Sequence, residues 1–118
     1  MEWKQFSNTK YIVSNTGLVK NSITGKTLKP YDNGKGYKKV SLSHNGKIFK
    51  IYVHRLVALL FVEGFKVGLT VDHVDGNKDN NNFHNLEWVT LEENVRRMHV
   101  MNMKKINRRE CLKWKNQT

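Results

Sequence analysis

This 118-residue chain has one cysteine, one proline and no long hydrophobic run. With Cys111 alone, no disulfide can form within the chain, and a four-cysteine zinc ribbon is excluded. A reducing, intracellular setting fits. No apolar run reaches the ~18 residues that mark a membrane helix, and the N-terminus has no signal-peptide core. A cytoplasmic protein without a membrane partner is expected. Arginine is missing from residues 1–50, where ten lysines face only Glu2 and Asp32. Internal repeats are absent, and the one biased tract is the asparagine cluster ending at Asn82. The length suits one compact domain, or a small core with arms. Three Trp, four Tyr and five Phe are enough for a modest core.

The charge is unevenly spread. The net charge is +11, made of +8 over residues 1–50, −2 over 51–100 and +5 over 101–118. Cationic flanks suit a phosphate backbone, and an acidic centre suits a metal cation. The plainer reading is a lysine-rich, solubilising surface.

The N-terminal third reads as short strands, Tyr11 to Ser14, Leu18 to Lys20 and Thr27 to Lys29, split by turns at Asn15-Thr16-Gly17 and Thr24-Gly25. A longer strand from Tyr37 to Ser43 alternates, with Lys38, Val40 and Leu42 on one side and Lys39, Ser41 and Ser43 on the other. His44-Asn45-Gly46 is hairpin-turn material, and a return strand runs from Lys47 to Val53. Such a ribbon can enter a DNA major groove, or be an ordinary amphipathic hairpin. His54 to Val62 is apolar nearly all round and predicts a buried helix, with His54 packing or capping its start. Arg55 is left to reach a phosphate or an internal carboxylate. Leu69 to Val71 leads into Asp72-His73, then a turn-rich tract from Asp75 to Asn82, a short strand Leu86 to Val89, and a helix opened by the capping box Thr90-x-x-Glu93. Glu92–Arg96 and Glu93–Arg97 are spaced as ion pairs on that helix. A basic amphipathic helix or tail follows over 101–118.

Cutting a phosphodiester requires a water that loses a proton, and stabilisation of the charged phosphate and the leaving 3′ oxygen. One hard cation can serve the last two needs, and Asp or Asn oxygens suit Mg²⁺ or Mn²⁺. A histidine is the natural base, provided a second group fixes its tautomer. Asp72 and His73 are adjacent on an extended segment, so their side chains diverge. Asn94, early in the capped helix, can reach back toward Asp72. Asn85 is placed to orient His73. Asp75 and Gly76 read as turn formers and His84 as incidental. An Asp-His pair alone carries little information; here order, spacing and intervening elements agree.

Asp72-His73-Val-Asp-Gly-Asn77, Asn81-Asn82-x-x-Asn85-Leu86-x-Trp88-Val89-Thr90 and Asn94 resemble the HNH endonucleases, in the form of phage intron-encoded homing enzymes. Val53-His-Arg-Leu-Val-Ala58 matches the same subgroup. Glu2-Trp3-Lys4 and Tyr11-x-Val13-Ser14-Asn15-x-Gly17-x-Val19 look like its N-terminal DNA-binding module. The resemblance implies an α+β fold: an N-terminal antiparallel β-sheet DNA-binding region over 1–50, a ββα-metal nuclease core over 51–100, and the tail over 101–118. It also implies His73 as general base, Asn85 as its orienting partner, and Asp72 and Asn94 as ligands of one Mg²⁺ or Mn²⁺. Double-stranded DNA would be nicked to leave 5′-phosphate and 3′-hydroxyl ends. A monomer with no small-molecule cofactor is expected, encoded by a phage in a bacterial host. Lys38, Lys39, Lys47, Lys50, Arg55, Lys104, Lys105, Arg108 and Arg109 are candidate DNA contacts. Two departures stand out. Many HNH enzymes have histidine where this chain has Asn94, though the phage subgroup does not. The larger homing enzymes also add a C-terminal helix-turn-helix module, whereas only residues 99–118 follow the motif here. The competing classes are a non-catalytic DNA-binding protein on the same fold and an RNA-binding protein, the latter lacking an aromatic platform.

Overall fold

The computed structural model of the protein describes residues 1–96. Three small antiparallel sheets pack around one central helix. The first joins β1 (Trp3–Gln5), β2 (Tyr11–Ser14) and β3 (Val19–Asn21) in that order. The second joins β4 (Tyr31–Asp32), β5 (Lys38–His44) and β6 (Lys47–Tyr52). The third is the pair β7 (Thr70–His73) and β8 (Leu86–Val89). The helix α1 (Val53–Phe61) lies between the second and third sheets in sequence. A 3₁₀ turn, Phe83–Asn85, leads into β8, and residues 91–96 form a helical segment, α2.

The β5–β6 hairpin turns on Asn45 and Gly46, at φ 52° and 75°. Two successive positive φ values define the type I′ turn, whose twist matches that of the strands it joins. His44 therefore pairs with Lys47, and register holds back to Lys39 opposite Tyr52. α1 follows β6 without a side-chain cap at Tyr52. Burial holds it instead: Leu56, Val57 and Ala58 are fully enclosed. Val13 and Val19 reach this core from the first sheet, Val40 and Leu42 from the second, and Val71, Leu86 and Trp88 from the third. The Trp88 indole donates to the Val62 carbonyl at the helix end (3.1 Å). One core thus unites residues on both sides of position 50, and β6 itself runs across that position.

The α+β architecture follows the expectation, with local differences. Thr27 to Lys29 is not a strand; only Thr27 bridges to Lys20. β1 and β4 form where no strand was expected. Each is short and largely exposed, and exists because a neighbouring strand offers it an edge. The N-cap bond of the expected capping box forms, with the Glu93 amide donating to Thr90 Oγ1 (3.1 Å). Arg96 pairs with Glu92 at 3.4 Å and with Glu93 at 3.1 Å. The Glu93–Arg97 pair and the tail over 101–118 lie outside the described residues.

Candidate active site

Strand alternation sets the site. Val71 and His73 are buried on one side of β7, and Asp72, half-buried, projects to the other. Asp72 stands in register with Glu87 on β8, so two carboxylates share that face. Like charges placed opposite one another cost stability and create a potential that favours a cation.

On the buried side, the His73 Nε2 donates to Asn81 Oδ1 at 2.8 Å. An amide oxygen can only accept, so this contact favours the neutral tautomer with its proton on Nε2. His73 is 4 % and Asn81 7 % exposed, so this contact is shielded from competing water. The His54 ring packs 4.9 Å from His73 and the Tyr37 ring 6.0 Å away.

Asn85 was expected to orient His73, and the structure corrects this. The Asn85 amide donates to Asp75 Oδ1 (2.8 Å) and to the Asn80 carbonyl (2.9 Å), and its oxygen accepts from the Asp75 amide (3.0 Å). Its backbone carbonyl also accepts from Val74 (2.8 Å). Asn85 closes the base of the 75–82 loop, which leaves its side chain fully engaged there. Asp75 proves to be a loop-former, as expected. Bonds from the Asn80 side chain, the Asn77 amide and the Asn85 side chain hold its carboxyl below the usual range.

Asn94 comes to the site from α2. With Tyr37, Tyr52, His54, Thr70 and Val71 it lines a recess of about 150 Å³ beside β7. The recess and Asp72 are the places where a cation's donors could gather. A carboxylate and an amide oxygen are hard donors, and Mg²⁺ is usually held by one or two such groups, with water and substrate phosphate completing its shell. The donor set therefore fits. Among the described residues no three His, Cys, Asp or Glu side chains converge on a common point.

Two site residues were not singled out from the sequence. Asn81 sits in a run of turn-forming asparagines and, though it falls within the motif, its residue type gives it no role of its own. Tyr37 was read only as the start of a strand. Its turn is wound by Asn33 Oδ1, which accepts from the amides of Lys35 (2.8 Å) and Tyr37 (3.2 Å). Lys78, from the loop after His73, donates to the Lys35 carbonyl (2.8 Å) and stands 4.5 Å over the Tyr37 ring. Burial, then the Asp72 carboxylate and then Tyr52 push the Tyr37 phenol up.

His54 packs on His73, with ring centres 4.9 Å apart. Burial, followed by His73 and Arg55, pushes its imidazolium down to about 3. Between about pH 6.5 and 3 the unfolded chain binds a proton there that the folded chain refuses. Folding stability is therefore complete above the ordinary histidine range and falls as the solution is acidified. The slope from this one group approaches ~1.4 kcal/mol per pH unit. Urea titrations between pH 7 and 4 should show this decline, and His54→Phe should flatten it. An unchanged slope in that variant would assign the acid sensitivity to other groups.

The candidate DNA contacts are dispersed. Lys39 and Lys50 share the outer face of the hairpin, Lys39 lying 4.7 Å over the Tyr52 ring. Lys38 and Lys47 belong to the opposite face. Lys38 is engaged internally, at 3.6 Å from Asp32 and 3.7 Å from Asp79. Arg55 stands 6.0 Å from the Trp88 ring centre. Lys104, Lys105, Arg108 and Arg109 lie outside the described residues.

A ββ pair carrying Asp72-His73, followed by a capped helix carrying Asn94, is the pattern of the HNH endonuclease family. Residues 51–96 match the model of that family, HNH endonuclease, and the chain belongs to it. Among its relatives is the DNA endonuclease I-HmuI of Bacillus phage SP01, 50% identical over 97 residues, which cover 80% of this chain and 56% of the relative. Another is the HNH endonuclease L245 of Acanthamoeba polyphaga mimivirus, 42% identical over 112 residues, or 92% of this chain and 33% of the relative. The solved structure of I-HmuI, described as showing DNA binding and cleavage by an HNH homing endonuclease, superimposes with a TM-score of 0.81 at 44% identity. The match covers 96% of this chain and 65% of that one. The chain thus spans only part of the length of these relatives.

Proposed function

We propose that this protein is a metal-dependent DNA endonuclease that nicks double-stranded DNA. The observation that carries the reading is the buried contact of His73 Nε2 with Asn81 Oδ1, which favours the Nε2–H tautomer, on the strand that also presents Asp72. That tautomer leaves Nδ1 free to take a proton from a water aimed at phosphorus. The water oxygen forms the new bond to phosphorus, the bond from phosphorus to the 3′ oxygen breaks, and that oxygen leaves as a hydroxyl after taking a solvent proton. Products carry 5′-phosphate and 3′-hydroxyl ends. Asp72 and Asn94 are the residues to hold one Mg²⁺ or Mn²⁺. When bound, such an ion supplies charge stabilisation to the phosphate and the leaving oxygen. Asn85 keeps the loop that contains Asn81 closed at its base, and so acts on His73 at one remove. Residues 1–50, with Lys39 and Lys50 on the outer hairpin face, are the part that meets the duplex. The DNA binding and cleavage described for I-HmuI supports duplex DNA as the substrate.

Supercoiled plasmid incubated with the protein and Mg²⁺ or Mn²⁺ should relax to open circles, and chelation should stop the reaction. Protein that binds plasmid but leaves it intact with every divalent ion would be a DNA-binding protein on a nuclease fold.

A further inference from the structure

We infer that the turn between β2 and β3 sets the orientation of His73 through Asn81, so that the N-terminal sheet is part of the catalytic frame. The inference rests on the reading of His73 as the general base, and it concerns positioning residues, since neither Gly17 nor Asn81 is assigned a contact with DNA.

Three contacts form the chain of influence. Asn81 Oδ1 accepts from His73 Nε2 at 2.8 Å. Asn81 in turn lies against Gly17, where an added Cβ would stand 2.9 Å from Asn81 Cβ and 3.4 Å from its carbonyl oxygen. Two residues beyond Asn81, the Phe83 amide donates to the Asn15 carbonyl (2.9 Å), which pins the loop to the same turn.

The turn is rigid. Ser14 is fully buried, and its hydroxyl accepts from the Leu18 amide (2.9 Å) and the Thr16 amide (3.3 Å) while sharing a bond with Thr16 Oγ1 (2.9 Å). The Gly17 amide closes onto the Ser14 carbonyl (3.1 Å). Gly17 has φ 100°, in the region that favours glycine, and the missing side chain is what lets Asn81 approach. The Asn81 oxygen must present one lone pair along the His73 N–H direction, so a small displacement of Asn81 loosens the ring. Misplacing a catalytic group by about 1 Å can cost about 10²-fold in rate.

The test uses the full chain, metal-free, with ¹⁵N-labelled histidine and long-range ¹H–¹⁵N spectra, which report which ring nitrogen is protonated. The wild type should show His73 as the single Nε2–H form. Asn81→Leu removes the acceptor and should drive the two ring nitrogens toward averaged shifts. Asn81→Asp keeps an acceptor oxygen at the same reach and should retain the Nε2–H pattern. Gly17→Ala should move the His73 signals. Gly25→Ala is the control, because Gly25 also has a positive φ (75°) but would place its Cβ in open space. That variant shares the backbone strain and should leave His73 unchanged. In the nicking assay Asn81→Leu and Gly17→Ala should lower kcat by about 10²-fold with little change in KM for DNA. His73 signals that superimpose on the wild type in both Asn81→Leu and Gly17→Ala would overturn the link. Should the ring signals respond as expected while no protein cuts DNA, the link stands and the endonuclease reading is the part that fails.

Discussion

Replacing His73 by alanine should lower the nicking rate by about 10²–10⁴-fold, the range that a positioned general base contributes. Duplex binding should change by no more than about twofold, because the side chain is buried and the hairpin lysines are untouched. The pairing of those two results matters more than either alone. A loss of binding in step with cleavage would place His73 in the recognition surface or in the folding core. The imidazole does contribute to packing, since His54 and Tyr37 lie against it. His73→Gln is therefore the better-matched companion: it fills much of the same space and can still meet Asn81, but it has no basic nitrogen. It should be nearly as inactive as alanine and closer to the wild type in stability. Single-turnover cleavage with plasmid in deficit, beside a binding isotherm at stated salt, separates these effects.

Leu56→Ala should have the largest effect on folding. Leu56 is fully buried at the middle of α1 and is the largest of the completely enclosed side chains. Truncation removes apolar contact on several sides and leaves a cavity bounded by rigid sheets that cannot collapse into it. The expected cost is about 3–4 kcal/mol, within the range measured for buried leucines. For a domain of this size that corresponds to a fall of roughly 12–30 °C in Tm. α1 has no side-chain cap to compensate, so its register depends on burial. Thermal denaturation followed by circular dichroism measures the shift. A fall of less than a few degrees would mean that the surrounding sheets relax into the space.

Elements specified by neighbouring residues were readable in advance. Asn45-Gly46 fixes its hairpin through two positive φ values, Thr90 and Glu93 open α2 through a local bond, and the apolar run from Val53 announces a buried helix. β1 and β4 were not readable, because the three residues Trp3–Gln5 and the two residues Tyr31–Asp32 are too short to show a pattern and become strands only by pairing with the strand that follows. The same divide runs through the site. Asp72, His73 and Asn94 stand out by residue type and spacing. Which asparagine meets the imidazole does not. Asn80, Asn81, Asn82 and Asn85 are chemically alike, and the choice is made by how the loop folds: Asn85 is drawn to Asp75, and Asn81 packs against the bare backbone of Gly17. Lys38 makes the same point for charge, since its two carboxylate partners are six residues before it and far after it in the chain.

The core shared across position 50 bears on portability. Residues 51–96 carry every group assigned to the chemistry, and so look like a cassette that could be grafted onto another DNA-reading protein. Cut out, that cassette would lose Val13, Val19, Val40 and Leu42, which share the core with α1. The exposed helix face would then have to be rebuilt by the recipient. Recombination that preserves this fold would therefore favour joints outside the three-sheet unit over a joint at the edge of the recognisable motif.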